Sequence, residues 1–188
     1  MEREAGVLKF PSLGHRATVP DIMRLSPEAG RPLFEMHEAV MRSPSALTPG
    51  QREPIAAYVS GLNGCRYCQG VHAETAKAYA DVPSAAVDRL MEDVEFTGFD
   101  APLRPIFRYA RKLTLAPSSV TADDAAAVYQ AGWDEKALHD AILVICVFNF
   151  MNRLLEGHGI HGHEELYKSR GPMLKEHGYL PLIRVLQP

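Results

Sequence analysis

Cysteine is scarce in this chain: three in 188 residues, an odd number with no even-numbered framework, which excludes a disulfide-stapled scaffold and suggests a reducing compartment. Positive charge is not in excess either. Twenty Lys and Arg against 23 Asp and Glu leave a formal net charge of −3, so nothing in the electrostatics calls for nucleic acid or an anionic membrane as partner. Long apolar runs are missing as well. The longest begins at Ala141, passes Asn149 and stops at Met151, too short and too polar-flanked to cross a bilayer. Residues 1–6 lack a positive stretch followed by an apolar one, so no secretory signal is expected and the cytoplasm is the default location. No stretch alternates apolar and polar residues as a strand would, and no strong repeat appears. These absences leave an all-α protein whose partners are small molecules or other proteins.

What is present agrees with that class. An apolar fraction of 46% over 188 residues is enough for one well-formed core, so a single domain over 1–188 is expected. Residues 1–27 hold Pro11, Pro20 and Pro27 and no sustained period, and read as an irregular arm. Ser26-Pro27 opens a helix to about Ser43. Thr48-Pro49-Gly50-Gln51 supplies an N-cap, a proline at the first helical position and a capping-box partner, so a helix should run to Leu62, where Asn63-Gly64 stops it. Further helices are expected over 65–80, 83–93, 101–116, 121–131 (Thr121 and Asp124 forming the cap), 134–157 and 164–177, followed by an apolar tail from Gly178 to Leu186. The helix over 134–157 is apolar nearly all round in its middle and should be the core helix. Cys146, between Ile145 and Val147, reads as a small buried hydrophobe, and Trp133 as a residue of cap and core.

Chemistry concentrates in residues 53–72. Cys65 and Cys68 are three apart and His72 is four beyond Cys68, so one helix face carries all three. If the helices over 49–62 and 65–80 fold back as a hairpin, Glu53 lies opposite His72, with the register good to a turn. Pro54 removes an N–H directly after Glu53, leaving the Gly50 carbonyl without its helical partner and predicting a kink there. Thiols near a helix start are acidified by the helix-end field and by a neighbouring imidazolium. Cys68 is close enough in sequence to share a hydrogen bond with His72, while Cys65 should lie nearer the helix mouth, where a reductant could reach it. Tyr67, in the spacer, reads as aromatic packing or as a proton donor to the thiols. Asn149 and Asn152 interrupt an apolar helix and need partners if buried; helix packing and a pocket wall or subunit contact are equally open.

Glu53, Ser60, Asn63, Cys65, Cys68 and His72 at these intervals resemble the active-site signature of AhpD-like alkylhydroperoxidases in the carboxymuconolactone decarboxylase superfamily. Phe148-Asn-Phe-Met-Asn-Arg-Leu-Leu-Glu-Gly157 is similar to a second landmark of its peroxidase-related subgroup. The resemblance implies an AhpD-like helical bundle built around the hairpin that carries CxxC. It also implies an oligomer, a dimer or a hexamer, and a thiol peroxidase that needs no bound cofactor. In that activity Cys68 attacks a hydroperoxide, Cys65 resolves it, Glu53 and His72 relay protons, and a dithiol reductant restores the pair. Well-known alkylhydroperoxidases carry histidine where this chain has Tyr67.

Three rival readings stand beside it. A decarboxylase-like lyase would share the fold but has no use for the cysteine pair. A metal-binding or redox-sensing module could use Cys65, Cys68 and His72 with His158, His161 or His163, although the glycine-broken segment 158–163 reads more simply as a polar surface turn. The blandest reading is a pair of buried thiols with no chemistry.

Overall fold

Helices make up every regular element of the chain among the residues described by the structure, a computed structural model, which are 9–15, 17–79, 82, 84–90 and 98–186. The order is α1 (Val19–Met23), α2 (Pro27–Arg42), α3 (Pro49–Leu62), α4 (Arg66–Lys77), α5 (Ser84–Arg89), α6 (Leu103–Leu115), α7 (Ala122–Gln130), α8 (Glu135–His158), α9 (Glu164–His177) and α10 (Leu180–Val185).

Local chemistry accounts for most boundaries. The Thr48 hydroxyl accepts from the Gln51 N–H while the Gln51 side chain accepts from the Thr48 N–H, so the capping box at α3 is complete. Gly64 takes φ +72° after α3 and lets the Cys65 N–H reach the Ser60 carbonyl, a Schellman-type stop that also reverses the chain. The cap at α7 forms between Thr121 and Asp124. Two elements lie where sequence alone gave irregular chain. The proline-bearing arm contains α1, started by a Thr18/Asp21 capping box, and the apolar tail folds as α10 after Gly178. The predicted extension of the helix at 83 to Asp93 and of the 65–80 helix to Ala80 falls outside the described residues, as do residues 1–8.

α3 and α4 pack as the expected antiparallel hairpin, with α8 against α3 and α9 against α4. α8 buries Ala141, Val144, Ile145, Phe148, Met151, Asn152 and Leu155, a stripe at helical spacing that forms the middle of one continuous apolar cluster. It is the one helix among the described residues long and apolar enough to cross a membrane, yet over half of its most apolar stretch is buried inside the domain. Its outer face corrects the expectation for Cys146. That thiol is exposed, on the same side as Phe150, because the buried stripe passes through Ile145 and Val147 and leaves residue 146 outside it.

Glycine sets how closely α9 approaches the hairpin. The Tyr167 ring lies on Gly70 in α4, where a Cβ would come within 2.6 Å of ring carbons, and a Cβ on Gly171 would meet the Glu74 backbone at 2.7 Å. Trp133 is half-buried and its indole N–H donates to the Pro102 carbonyl at 2.8 Å, tying the α7–α8 turn to the start of α6.

Candidate active site

Two arginines from opposite sides of the α2–α3 corner organise the buried end of the site. Arg52 is 1% exposed and donates to the carbonyls of Val40, Ser43 and Leu47, so it closes the C-terminal end of α2 and the following loop. Arg42 turns inward instead. Its Nη2 donates to Glu53 Oε1 at 2.7 Å and to the Leu174 carbonyl at 2.9 Å. Glu53 is wholly buried, and its second oxygen holds His72 Nδ1 at 2.7 Å. Burial pushes the Glu53 carboxyl up, but the His72 imidazole and the Arg42 guanidinium pull it down further, so it stays below the usual carboxylate range. The hairpin register therefore places Glu53 against His72 as expected. α3 runs unbroken through Pro54, so the predicted kink does not interrupt the helix that presents Glu53.

Cys65 occupies the N-cap of α4 and Cys68 its first turn, which puts the thiols side by side at a helix start. Both are free thiols and buried, Cys65 entirely, so the expected opening of Cys65 to a reductant is not present. Their acidities diverge. Hydrogen bonding from Cys68 holds the Cys65 thiol below its ordinary value against burial and the Glu156 carboxylate; the same hydrogen bond and burial push Cys68 well up. The hydrogen bond expected between Cys68 and His72 is not formed, because the imidazole turns its Nδ1 to Glu53 and Cys68 interacts with Cys65 and Asn152. Access favours Cys68, however: it lines a largely apolar cavity with His72, Phe148 and Met151, and Cys65 does not.

The asparagines tie helices together, the first of the roles left open for Asn149 and Asn152. Asn63 donates to Asn149 Oδ1 and Asn152 Oδ1, and Asn152 donates to Ser60 Oγ, a clip that fixes the hairpin to α8. Asn152 also reaches Cys68. Tyr67 is buried in the cavity wall, where burial pushes its phenol up to about 12. Among the described residues no three His, Cys, Asp or Glu side chains are grouped to hold a metal ion. His161 and His163 are exposed, His163 pairs with Glu165, and His158 stacks on Phe10.

Comparison with known proteins agrees with this geometry. Residues 27–112 match the sequence profile of the Carboxymuconolactone decarboxylase family, the segment that contains Arg42, Glu53, Cys65, Cys68 and His72. An uncharacterized peroxidase-related protein from Silicibacter sp. superposes with a TM-score of 0.73 at 23% identity, covering 79% of this chain and 78% of its own. A second, from Ralstonia eutropha and described as an alkylhydroperoxidase AhpD core, superposes with a TM-score of 0.74 at 21% identity, covering 89% and 98%. The segment that carries the site is similar to the Carboxymuconolactone decarboxylase family, and the fold is AhpD-like. No curated protein matches it significantly in sequence.

Within that fold, four side chains of the site escape a reading of the sequence. Arg42 and His37 come from α2, Tyr179 from the α9–α10 turn, and Glu156 from the last turn of α8. His37 Nε2, Arg42 Nε and Tyr179 Oη are buried without a hydrogen-bond partner, each at a cost of about 1–3 kcal/mol. A buried histidine four residues after Leu33 carries no spacing signal; only Glu156, inside the 148–157 landmark, was discoverable.

Proposed function

We propose that this protein is a thiol peroxidase that reduces an organic hydroperoxide through a Cys65–Cys68 dithiol/disulfide cycle. The observation that carries the reading is the placement of two adjacent cysteines at a helix start, one of them lining a cavity that it shares with a Glu53-held imidazole.

The resting charge of the pair is favoured on Cys65, and Cys68 donates to it. Passing that proton across to Cys65 makes Cys68 the thiolate at the cavity. Cys68 then attacks the outer peroxide oxygen; the O–O bond breaks, the alkoxide takes a proton from His72, and Cys68 becomes a sulfenic acid. His72 recovers its proton from water, with Glu53 holding its other nitrogen. The Cys65 thiol condenses with the sulfenic acid, forming the disulfide and releasing water. A dithiol reductant returns two electrons and two protons. Since both thiols are buried, that reductant works only after local opening around α4, which sets a conformational limit on turnover.

Peroxide consumption measured with a panel of dithiol reductants, beside Cys68→Ser, tests the function. Consumption that depends on Cys68 supports it, whereas loss of no thiol on peroxide addition returns the fold to a lyase or a non-catalytic role. One equivalent of peroxide added to Cys65→Ser should leave a sulfenic acid on Cys68. Fast oxidation of Cys65 in Cys68→Ser would reverse the two roles.

A further inference from the structure

Two residues that line the cavity of Cys68 carry polar atoms that nothing in the protein answers. His37 Nε2 and Tyr179 Oη have no hydrogen-bond partner. Their residues are 2% and 4% exposed and line the cavity together, with rings 5.3 Å apart. The walls around them are mostly apolar, among them Val71, Phe148, Met173 and Leu182. Both groups are held in place from outside the cavity. His37 Nδ1 lies 2.7 Å from the Leu33 carbonyl. The Tyr179 N–H donates to Glu38 Oε2 at 2.7 Å, following Gly178, whose φ of +59° turns the chain and whose missing Cβ leaves room for the Glu38 carboxylate.

The chemistry of the pair is fixed by those contacts. A carbonyl only accepts, so Nδ1 carries the His37 proton and Nε2 offers a lone pair. Burial keeps the imidazole neutral at ordinary pH, and burial with the Glu53 carboxylate nearby keeps the Tyr179 phenol protonated. The two neighbouring rings thus offer a bare acceptor and a hydroxyl donor. A carboxylate or a carbonyl would satisfy Tyr179 alone, and an ammonium would satisfy His37 alone. An R–O–H group satisfies both, giving its hydrogen to Nε2 and accepting at oxygen from the phenol.

We infer that His37 and Tyr179 form a subsite for the O–H end of an apolar alkyl hydroperoxide and of its alcohol product, with the alkyl body against the apolar wall. The choice of hydroperoxide over alcohol as substrate rests on the peroxidase reading; the hydroxyl subsite itself does not. Two substitutions separate its halves. His37→Asn keeps an amide donor where Nδ1 bonds Leu33 and deletes the Nε2 acceptor, and Tyr179→Phe removes only the hydroxyl.

The experiment is a binding titration of the reduced protein, without peroxide, by two molecules of one shape: 2-phenyl-2-propanol, and tert-butylbenzene, in which methyl replaces the hydroxyl. The wild type should prefer the alcohol by about tenfold or more, and either substitution should abolish most of that preference while tert-butylbenzene still binds, which shows the cavity intact. Equal binding of the two molecules by the wild type, or a preference unchanged in both variants, overturns the subsite and leaves water as the only guest of these atoms. If peroxide is consumed but the preference is missing, the subsite falls and the peroxidase stands. If the preference is present and no peroxide is consumed, the reverse holds.

Discussion

Acid should unfold this protein partly through one histidine. Burial lowers His37 from 6.5 to about 4, with His72 adding to the shift and the Leu33 carbonyl opposing it, because a charged imidazole among Phe34, Phe148 and Tyr179 is costly to desolvate. Between those values the unfolded chain holds a proton on residue 37 that the folded protein does not. The His37 contribution is therefore complete above about pH 6.5 and is lost as pH falls toward 4. At 1.36 kcal/mol per unit, the loss between pH 7.5 and pH 5 is about 2 kcal/mol, approaching about 3 kcal/mol near pH 4. Carboxylates titrate in the same range, so the measurement is a difference: urea unfolding of wild type and of His37→Asn at several pH values. The variant starts less stable by a constant offset, and the gap should close by about 2 kcal/mol on going to pH 5. Parallel curves would refute the reasoning, since they mean that residue 37 binds the same number of protons in both states.

Three further outcomes follow from single contacts. Glu156 raises both thiols by its charge, so Glu156→Gln should shift the pH midpoint of iodoacetamide labelling at Cys65 downward; an unchanged midpoint removes Glu156 from the site. Gly70→Ala drives a methyl into the Tyr167 ring and should cost about 1–3 kcal/mol by chemical denaturation, a cost that Tyr167→Ala introduced with it should relieve. We also propose a homo-oligomer, seated on the outer face of α8 where Cys146 and Phe150 are exposed beside α6 with its exposed Leu115. Light scattering should give at least a dimer for the wild type and a smaller species for Phe150→Glu, and a monomeric wild type would end that proposal.

How much of this was legible in the sequence depended on whether a signal was local. The α3 boundaries could be read because Thr48, Pro49 and Gln51 at one end and Asn63-Gly64 at the other act within a turn. The facing of Glu53 and His72 could be read because a hairpin with a short turn has only one register to a turn's accuracy, and the observed 2.7 Å contact lies within it. Cys146 was misplaced because a helix apolar all round hides its phase: neighbours in sequence say nothing about which face is inward. Arg42 was invisible for a different reason. A basic residue in the last turn of a helix ordinarily faces solvent and serves the helix end, and only the corner between α2 and α3, capped by Arg52, turns it toward Glu53.

That corner explains why one buried carboxylate can serve two partners. Burial by itself favours the protonated form of Glu53, and a protonated carboxyl would donate to the imidazole rather than hold its N–H. His72 opposes that burial most, and Arg42, fixed by the Met41 and Leu174 carbonyls, adds to it from the other oxygen, so that Glu53 stays ionised. Replacing Arg42 by methionine should therefore do more than lose a contact. It leaves the carboxylate to one partner, raises the Glu53 pKa, and moves the acid limb of any peroxide-dependent thiol oxidation to higher pH. Arg42→Lys keeps the charge but not the fork that reaches Leu174, so it should restore the pH profile more than the stability. A common acid limb for wild type and Arg42→Met would show that the Glu53 charge plays no part in the chemistry at the thiols.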